Sequence, residues 1–310
     1  MDTIHHSKKT HKSISVVMAT FNGALFLEKQ IHSILAQSLM PVSIIICDDG
    51  SSDNTVAILD KLSKEYPLIK YFVNEERLGV ISNFKKAVSL AEDADFIALA
   101  DQDDIWLPTK LEKLCEKLSI MDDGQSPAMV YSDLIVIDEN EKILNPSFWN
   151  ELGHDGYTHT FDTLLFGNFV TGCTILMNQS MRKHFAGMPN DVLMHDAWLA
   201  LIAFSFGKVN IIPEPLVKYR RHSSNAAFLP TYQKKNTTQK WMAHIKLLFT
   251  KNDYLKDQLQ LVHMFADAYR NLLTEEQARK VDLFLQLRDR SYLQKKLLFR
   301  SFFKNHWLRG

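Results

Sequence analysis

The sequence predicts an α/β protein built on a mixed, mainly parallel sheet flanked by helices, and three observations carry that prediction. Short, continuously apolar, β-branched runs alternate with segments of helical periodicity over the first 120 residues. Three of these runs end in clusters of polar and acidic residues. The chain is 46% hydrophobic and 23% charged, which is enough apolar material for a large core under a solvated surface.

Taken in order, residues 14–19 (ISVVMA) read as a buried strand broken by Phe21-Asn22-Gly23. Leu25, Leu27, Ile31, Ile34 and Leu35 then recur at helical spacing until Pro41. Residues 42–47 (VSIIIC) are the second strand. In the turn that follows, Ser52 or Asp53 is placed to cap a helix starting near Asn54. Residues 68–73 form a third, more exposed strand. Gly79 opens a helix through Phe84, Val88 and Leu90, residues 95–100 (DFIALA) form a fourth strand, and another helix follows Pro108. Beyond residue 120 the pattern is mixed: strands at 128–138 and 170–177, an apolar helix at 195–206 and a short strand at 209–212. The strands stop after about residue 228. The expected division is a disordered tail at 1–12, an α/β domain at 13–228 and a helical region at 229–310, with the break at Leu229-Pro230.

Composition removes several function classes. Lys+Arg and Asp+Glu both number 36, so no chain-wide basic field exists for nucleic acid. Cys47, Cys115 and Cys173 are far apart and form no CxxC pair, which argues against a disulfide framework or a zinc knuckle and fits a reducing cytoplasm. No apolar run follows the basic first residues, and none reaches the length of a membrane span. The expectation is a soluble or peripherally attached cytoplasmic protein.

Strands joined by single helices imply right-handed βαβ units, whose ligands bind beyond the carboxyl ends of the strands. The polar clusters Thr20-Phe21-Asn22-Gly23, Asp48-Asp49-Gly50-Ser51 and Asp101-Gln102-Asp103-Asp104 all fall there. Three carboxylates within four residues repel one another, so a fold that gathers them gains by placing a cation there. Hard oxygen ligands favour Mg²⁺ or Mn²⁺ bridging to substrate phosphates. Taken alone, the same cluster is as readily a solvated acidic turn. The carboxylates at 48–49 suit a ribose hydroxyl or a base N–H, or simply a capped turn. The first cluster offers amides and a ring for a flat base, or an ordinary strand-to-helix turn.

The joint series ATFNG…CDDGSSDNT…ALADQDDIWLP, continued by MHDAWLALIA and KYRRHSSN, resembles family 2 glycosyltransferases of the GT-A fold over roughly residues 12–228. The resemblance implies a Rossmann-like sheet with a helical carboxyl-terminal extension. It further implies a nucleotide site at Thr20, Phe21, Asn22, Asp48, Asp49 and Asp101, with Asp49 reading the base and Asp101 near the ribose. Asp103 is implied as the metal ligand, with His222 completing the metal shell. Asp196 is the implied catalytic base, held ionised by its helix N-terminus. Arg220 and Arg221 are implied on the diphosphate; Arg77, before Gly79, lies along the donor phosphates or merely starts a helix. Asp104, Trp106, His195 and Trp198 fall on the acceptor side, His195 standing where the family commonly has an acidic residue.

The segments DQDDIW, HDAWLA and YRRH are most similar to bacterial rhamnosyltransferases of surface polysaccharide synthesis. This implies dTDP-L-rhamnose as donor, with UDP-hexoses as the alternative, and a growing glycan or lipid-linked acceptor. The Gln-x-x-Arg-Trp signature of processive synthases is missing; its nearest echo, Gln239-Lys240-Trp241, lacks the spacing. Two rivals stand beside this reading. One is a non-catalytic nucleotide-sugar-binding assembly subunit. The other is a sugar-1-phosphate nucleotidyltransferase, which needs a cationic Gly-rich loop that Thr20–Phe26 does not supply. Residues 295–304 mix cations and large apolar side chains, and pack on protein or lie at a membrane interface.

Overall fold

The computed structural model of the chain describes residues 12–152, 158–222 and 255–290, with Gln294, Lys295 and Leu297. The tail before Lys12, the Leu229-Pro230 break, Gln239-Lys240-Trp241 and residues 298–304 lie outside the described residues.

Four strands follow the apolar runs: β1 (Ile14–Thr20), β2 (Ser43–Asp48), β3 (Ile69–Val73) and β4 (Phe96–Ala100). Between them run α1 (Leu27–Leu35), α2 (Thr55–Glu65) and α3 (Val80–Ser89). After β4 come β5 (Ile105–Trp106), α4 (Lys110–Met121), β6 (Ala128–Ile137) and β7 (Ile143–Asn145). Two short helices, α5 (Phe148–Glu151) and α6 (Phe161–Leu164), lead to β8 (Leu176–Asn178), α7 (Gln179–Ala186), α8 (His195–Phe206) and β9 (Lys208–Arg220). Beyond residue 254 the described residues hold α9 (Lys256–Tyr269) and α10 (Glu275–Leu285), with short 3-10 turns after each.

The strands form one mixed sheet in the order β3-β2-β1-β4-β8-β6-β9-β5, with β7 paired to β6. Strands β3, β2, β1 and β4 are mutually parallel, as are β6 and β9. Strand β8 joins the halves by running antiparallel to both β4 and β6. Because β1 lies between β2 and β4, their carboxyl ends come side by side, with the Thr20 turn flanked by the turns at Asp49 and Asp101.

Period-two alternation sorts the strand residues onto two faces. Val16, Met18, Ile44, Ile46, Phe96 and Ala98 pack with Leu27, Ile31, Leu59, Leu62, Leu111 and Leu114 from α1, α2 and α4. Val17, Ile45, Ile97 and Leu99 face the other way, onto Phe84, Met181, Phe185 and α8. Helix α8 is apolar around its circumference because α9 and α10 cover its outer side; Phe265 meets Trp198 edge-on at 5.9 Å, and Phe284 joins the same core. The described helical residues beyond 254 therefore share a core with the sheet.

Two strand expectations are corrected. Residues 170–177 are not a strand: the Thr171 carbonyl accepts from the Thr174 amide at 2.9 Å and from its hydroxyl at 2.7 Å, closing a 3-10 turn over Gly172–Thr174. Of this stretch only Leu176–Asn178 pairs as a strand. The short strand expected at 209–212 instead runs the full Lys208–Arg220, because β6 offers it a parallel partner along that length. No described helix is long and apolar enough to cross a membrane.

Candidate active site

The first two turns are stitched into one unit by side chains. Thr20 Oγ1 donates to Asp48 Oδ1 at 2.9 Å, and the buried Asp48 carboxylate also accepts from the Ser51 amide at 2.8 Å and the Ser51 hydroxyl at 2.6 Å. Asn22 adopts a left-handed φ of 49°, and its side-chain oxygen accepts from the Ser52 amide at 2.8 Å. The Gly23 amide donates to Thr55 Oγ1 at 2.8 Å. Asp53 accepts from the Thr55 amide at 3.0 Å and the Ala24 amide at 3.1 Å, so of the two capping candidates Asp53 holds the start of α2. Asp48 is thus committed to the turn itself.

Asp49 is nearly buried. Its Oδ1 accepts from Asn74 Nδ2 at 3.0 Å and the Leu78 amide at 2.6 Å, and its Oδ2 from the Gly79 amide at 2.9 Å. Gly79 has φ of 80°, which explains a glycine at that position. The loop drawn in this way places the Arg77 guanidinium 3.9 Å above the Phe21 ring and 3.9 Å from Asp49 Oδ2. Arg77 keeps 67% of its side chain exposed.

On the other side of the Thr20 turn, burial, reinforced by Asp103 and Asp196, pushes the Asp101 carboxyl up to about 7. Burial with the charges of Asp103 and Asp101 raises Asp104 well above the usual carboxylate range. Beneath them lies a buried lysine. Lys110 Nζ donates to the Cys173 carbonyl at 2.6 Å and sits 3.0 Å from the centre of the Trp106 ring, while burial pushes its ammonium well below the ordinary lysine value.

Two groupings here are able to hold a cation. Ligand atoms of Asp101, Asp104 and Cys173 lie within 4.8 Å of one another, with the buried Lys110 bonded to the Cys173 carbonyl beside them. Nearer solvent, Asp103 Oδ2 and His222 Nε2 face each other at 2.8 Å. A carboxylate beside an imidazole would suit Mn²⁺ better than Mg²⁺.

Asp196 opens α8 with its carboxylate buried. Oδ1 accepts from the Ala197 amide at 2.6 Å and Asn168 Nδ2 at 3.1 Å; Oδ2 accepts from the Gly172 amide at 3.1 Å. Burial outweighs these donors and raises the carboxyl to about 6. The helix terminus alone therefore does not set its ionisation. Gly172, bonded to Asp196, is followed by Cys173, which lies with Asp101 and Asp104 within 4.8 Å, so the α8 terminus and the β4 turn come to one place.

Other expected site residues are placed differently. Arg220 is 1% exposed: its guanidinium donates to the carbonyls of Asp103 (2.9 Å), Asp138 (3.3 Å) and Glu139 (3.0 Å), and covers the Phe26 ring at 4.5 Å. Its backbone amide donates to Asp104 Oδ1 at 3.1 Å. Arg220 thus braces the acidic turn from behind. Arg221 pairs with Glu151 at 2.9 Å. Asp104, Trp106, His195 and Trp198 are all buried. His195 packs 4.5 Å from the Phe84 ring and is held neutral by burial, which lowers it to about 4.

Sequence reasoning missed Gln102, Asn74, Lys110, Asn168, Gly172 and Cys173. Of these only Lys110 carried a usable signal, a lysine on the apolar face of α4 beside Leu111, Leu114 and Leu118.

The chain is 27% identical over 224 residues to the dTDP-rhamnosyl transferase RfbG of Shigella flexneri, spanning 67% of this chain and 72% of that protein. It is 36% identical over 105 residues, 34% of each chain, to the GalNAc(5)-diNAcBac-PP-undecaprenol beta-1,3-glucosyltransferase of Campylobacter jejuni. In structure it is similar to S. aureus TarS 1-349 in complex with UDP, with TM-score 0.58 at 14% identity, covering 96% of this chain and 75% of that one. It is also similar to the mannosyltransferase PcManGT of Pyrobaculum calidifontis in complex with GDP-Man and Mn2+, with TM-score 0.52 at 14% identity, covering 97% and 87%. The sequence pattern described as Glycosyl transferase family 2 matches residues 15–185, more than half of the chain, and with the GT-A fold around these turns it shows that the chain belongs to that family of glycosyltransferases.

Proposed function

We propose that this glycosyltransferase moves L-rhamnose from dTDP-L-rhamnose, with inversion, onto a hydroxyl of a growing bacterial surface glycan. The observation that carries the reading is the convergence of Asp196 on the turn after β4: its carboxylate accepts from the Gly172 amide, and the next residue, Cys173, lies with Asp101 and Asp104 in one cluster within 4.8 Å. One cleft then holds a donor end and a base.

The base-reading role of Asp49 is supported by counting acceptors. An ionised carboxylate has about four acceptor positions. Asn74, Leu78 and Gly79 take three of them, leaving one on Oδ2. A single imide N–H, as in thymine or uracil, fits that remainder, whereas guanine presents two adjacent donors. Phe21 supplies the flat surface, and the exposed Arg77 takes the donor-side cation role better than the committed Arg220.

In the reaction, Asp196 accepts the proton of the acceptor hydroxyl as that oxygen attacks the anomeric carbon opposite the leaving nucleoside diphosphate. A carboxyl raised to about 6 is ionised at neutral pH yet basic enough to take a proton in the transition state. Asn168, Ala197 and the Gly172 amide fix its orientation. Asp103 and His222 are the residues that would hold Mg²⁺ or Mn²⁺, whose charge would stabilise the departing diphosphate. The rhamnosyl assignment leans on the likeness to RfbG, and the lipid-linked acceptor on the likeness to the Campylobacter enzyme. With that acceptor class, the protein works in the cytoplasm, peripheral to the inner membrane face.

The test is hydrolysis of a panel of nucleotide sugars with Mn²⁺, read as released nucleoside diphosphate. Release from dTDP-rhamnose that disappears in Asp196→Asn supports the reading. Turnover of a UDP-hexose alone moves the assignment to that donor, and no turnover of any donor, with nucleotide still bound, leaves the non-catalytic assembly subunit.

A further inference from the structure

We propose that Gln102, the residue between Asp101 and Asp103, is a positioning residue that holds the base turn at a fixed distance from the cation turn, so that one nucleoside diphosphate engages both. The inference rests on the donor-site reading above and assigns a role to a side chain which that reading does not use.

The backbone ladder between β1 and β4 ends at the pair Met18↔Ala100. Past that point, among the described residues, no main-chain bond between these two strands ties their turns together. Gln102 continues the ladder with a side chain: its Oε1 accepts from the Phe21 amide at 2.9 Å, and its Nε2 donates to the Phe21 carbonyl at 3.2 Å. A primary amide reproduces the donor–acceptor pair of a peptide group, so it satisfies both backbone groups of Phe21 as a neighbouring strand would.

The second observation is Gly23. A Cβ built there would lie 2.3 Å from Gln102 Oε1 and 2.6 Å from its Cδ. Gly23 is not among the residues with positive φ, so its backbone is open to any amino acid. The Gln102 carboxamide, held by its two bonds to Phe21, takes the space a side chain at 23 would need and would have to give up those bonds to admit one. Glycine at 23 and glutamine at 102, far apart in sequence, are two halves of one contact. Phe21 carries the ring on the base side and Asp103 carries the cation side, so the clamp spans the two ends of the donor.

The test measures binding of dTDP and UDP with Mn²⁺, and of dTMP and UMP without it, by calorimetry. The proteins are wild type, Gln102→Met, Gln102→Ala, Gly23→Ala and the Gly23→Ala/Gln102→Ala double variant. Methionine keeps the volume and removes both bonds, and thermal melting confirms that each variant is folded. Loss of the two hydrogen bonds is expected to weaken the diphosphates about tenfold and the monophosphates by less than about twofold. Gly23→Ala is expected to cost a similar factor alone and nothing further in the Gln102→Ala background, since the clash partner is gone. Equal weakening of mono- and diphosphates, wild-type affinity in Gln102→Met, or additive losses in the double variant overturns the proposal. A wild-type protein that binds none of these nucleotides overturns the donor-site reading itself, a result distinct from the others.

Discussion

Replacing Asp196 by asparagine separates the stability of the fold from the chemistry it supports. Burial raises the wild-type carboxyl from an ordinary 3.8 to about 6. A raised folded-state value means that the folded protein holds a proton which the unfolded chain has released. The associated stability is fully present below pH about 4 and is lost as pH rises to about 6. At about 1.4 kcal/mol per unit, the loss totals about 3 kcal/mol, an upper-range figure because the neighbouring Asp101 titrates in the same interval. The substituted asparagine carries no charge and lacks this slope. Its amide also turns a donor towards the Gly172 amide, at a cost of about 1–3 kcal/mol that does not depend on pH. Urea unfolding of both proteins from pH 4 to 8 therefore isolates the charge contribution. The variant should gain about 3 kcal/mol relative to wild type across that range, whatever its offset, while turnover falls about 10²–10⁴-fold. A stability difference that is flat with pH would refute the argument that Asp196 is charged and desolvated.

Three further outcomes follow from the same geometry. Gly172→Ala places a Cβ 2.6 Å from His195 Nε2, a ring wedged between Phe84 and Phe185; stability should fall by about 1–3 kcal/mol, with partial recovery in the Gly172→Ala/His195→Ala double variant on chemical denaturation. Trp198→Ala should cost about 3–5 kcal/mol yet leave nucleotide affinity unchanged in calorimetry, because Trp198 packs on Phe265 and Tyr269 and not in the cleft. His222→Ala should raise the Mn²⁺ concentration for half-maximal donor hydrolysis about 10–100-fold; an unchanged titration would remove His222 from the cation site.

The sheet was legible wherever burial on both faces imposed a continuous β-branched run, as in Ile44-Ile45-Ile46. It was not legible at 170–177, where an equally apolar stretch is bent by the Thr171 turn and by the His195 ring filling the space above Gly172. The aspartates at 48–49 and 101–104 were legible because they lie at strand ends, where such a sheet binds ligands, whereas Asp196, in the first turn of α8, was implied only by the family resemblance. Tyr219-Arg220-Arg221-His222 shows why the remainder was hidden. Adjacent arginines look equivalent in sequence, but Arg220, the last residue of β9, reaches backbone carbonyls behind Asp103, while Arg221, just past the strand, pairs with Glu151. The partners of Gln102 and Lys110 lie across strands and turns far away in the chain, so no local spacing announces them. Whether Asp196 is ionised depends on its burial beneath neighbouring segments, and motif matching carries no information on that.

In the proposed site, acidic turns from separate strands enclose one cation-bound nucleoside diphosphate beside Asp196. A crystal structure of the protein soaked with Mn²⁺ and dTDP, with anomalous data collected at the manganese edge, tests it most directly. The expected result is an anomalous peak bonded to the Asp103 carboxylate and bridging to the diphosphate, with the pyrimidine between Phe21 and Asp49. A peak held by other residues, or a nucleotide bound on another face of the sheet, would contradict it.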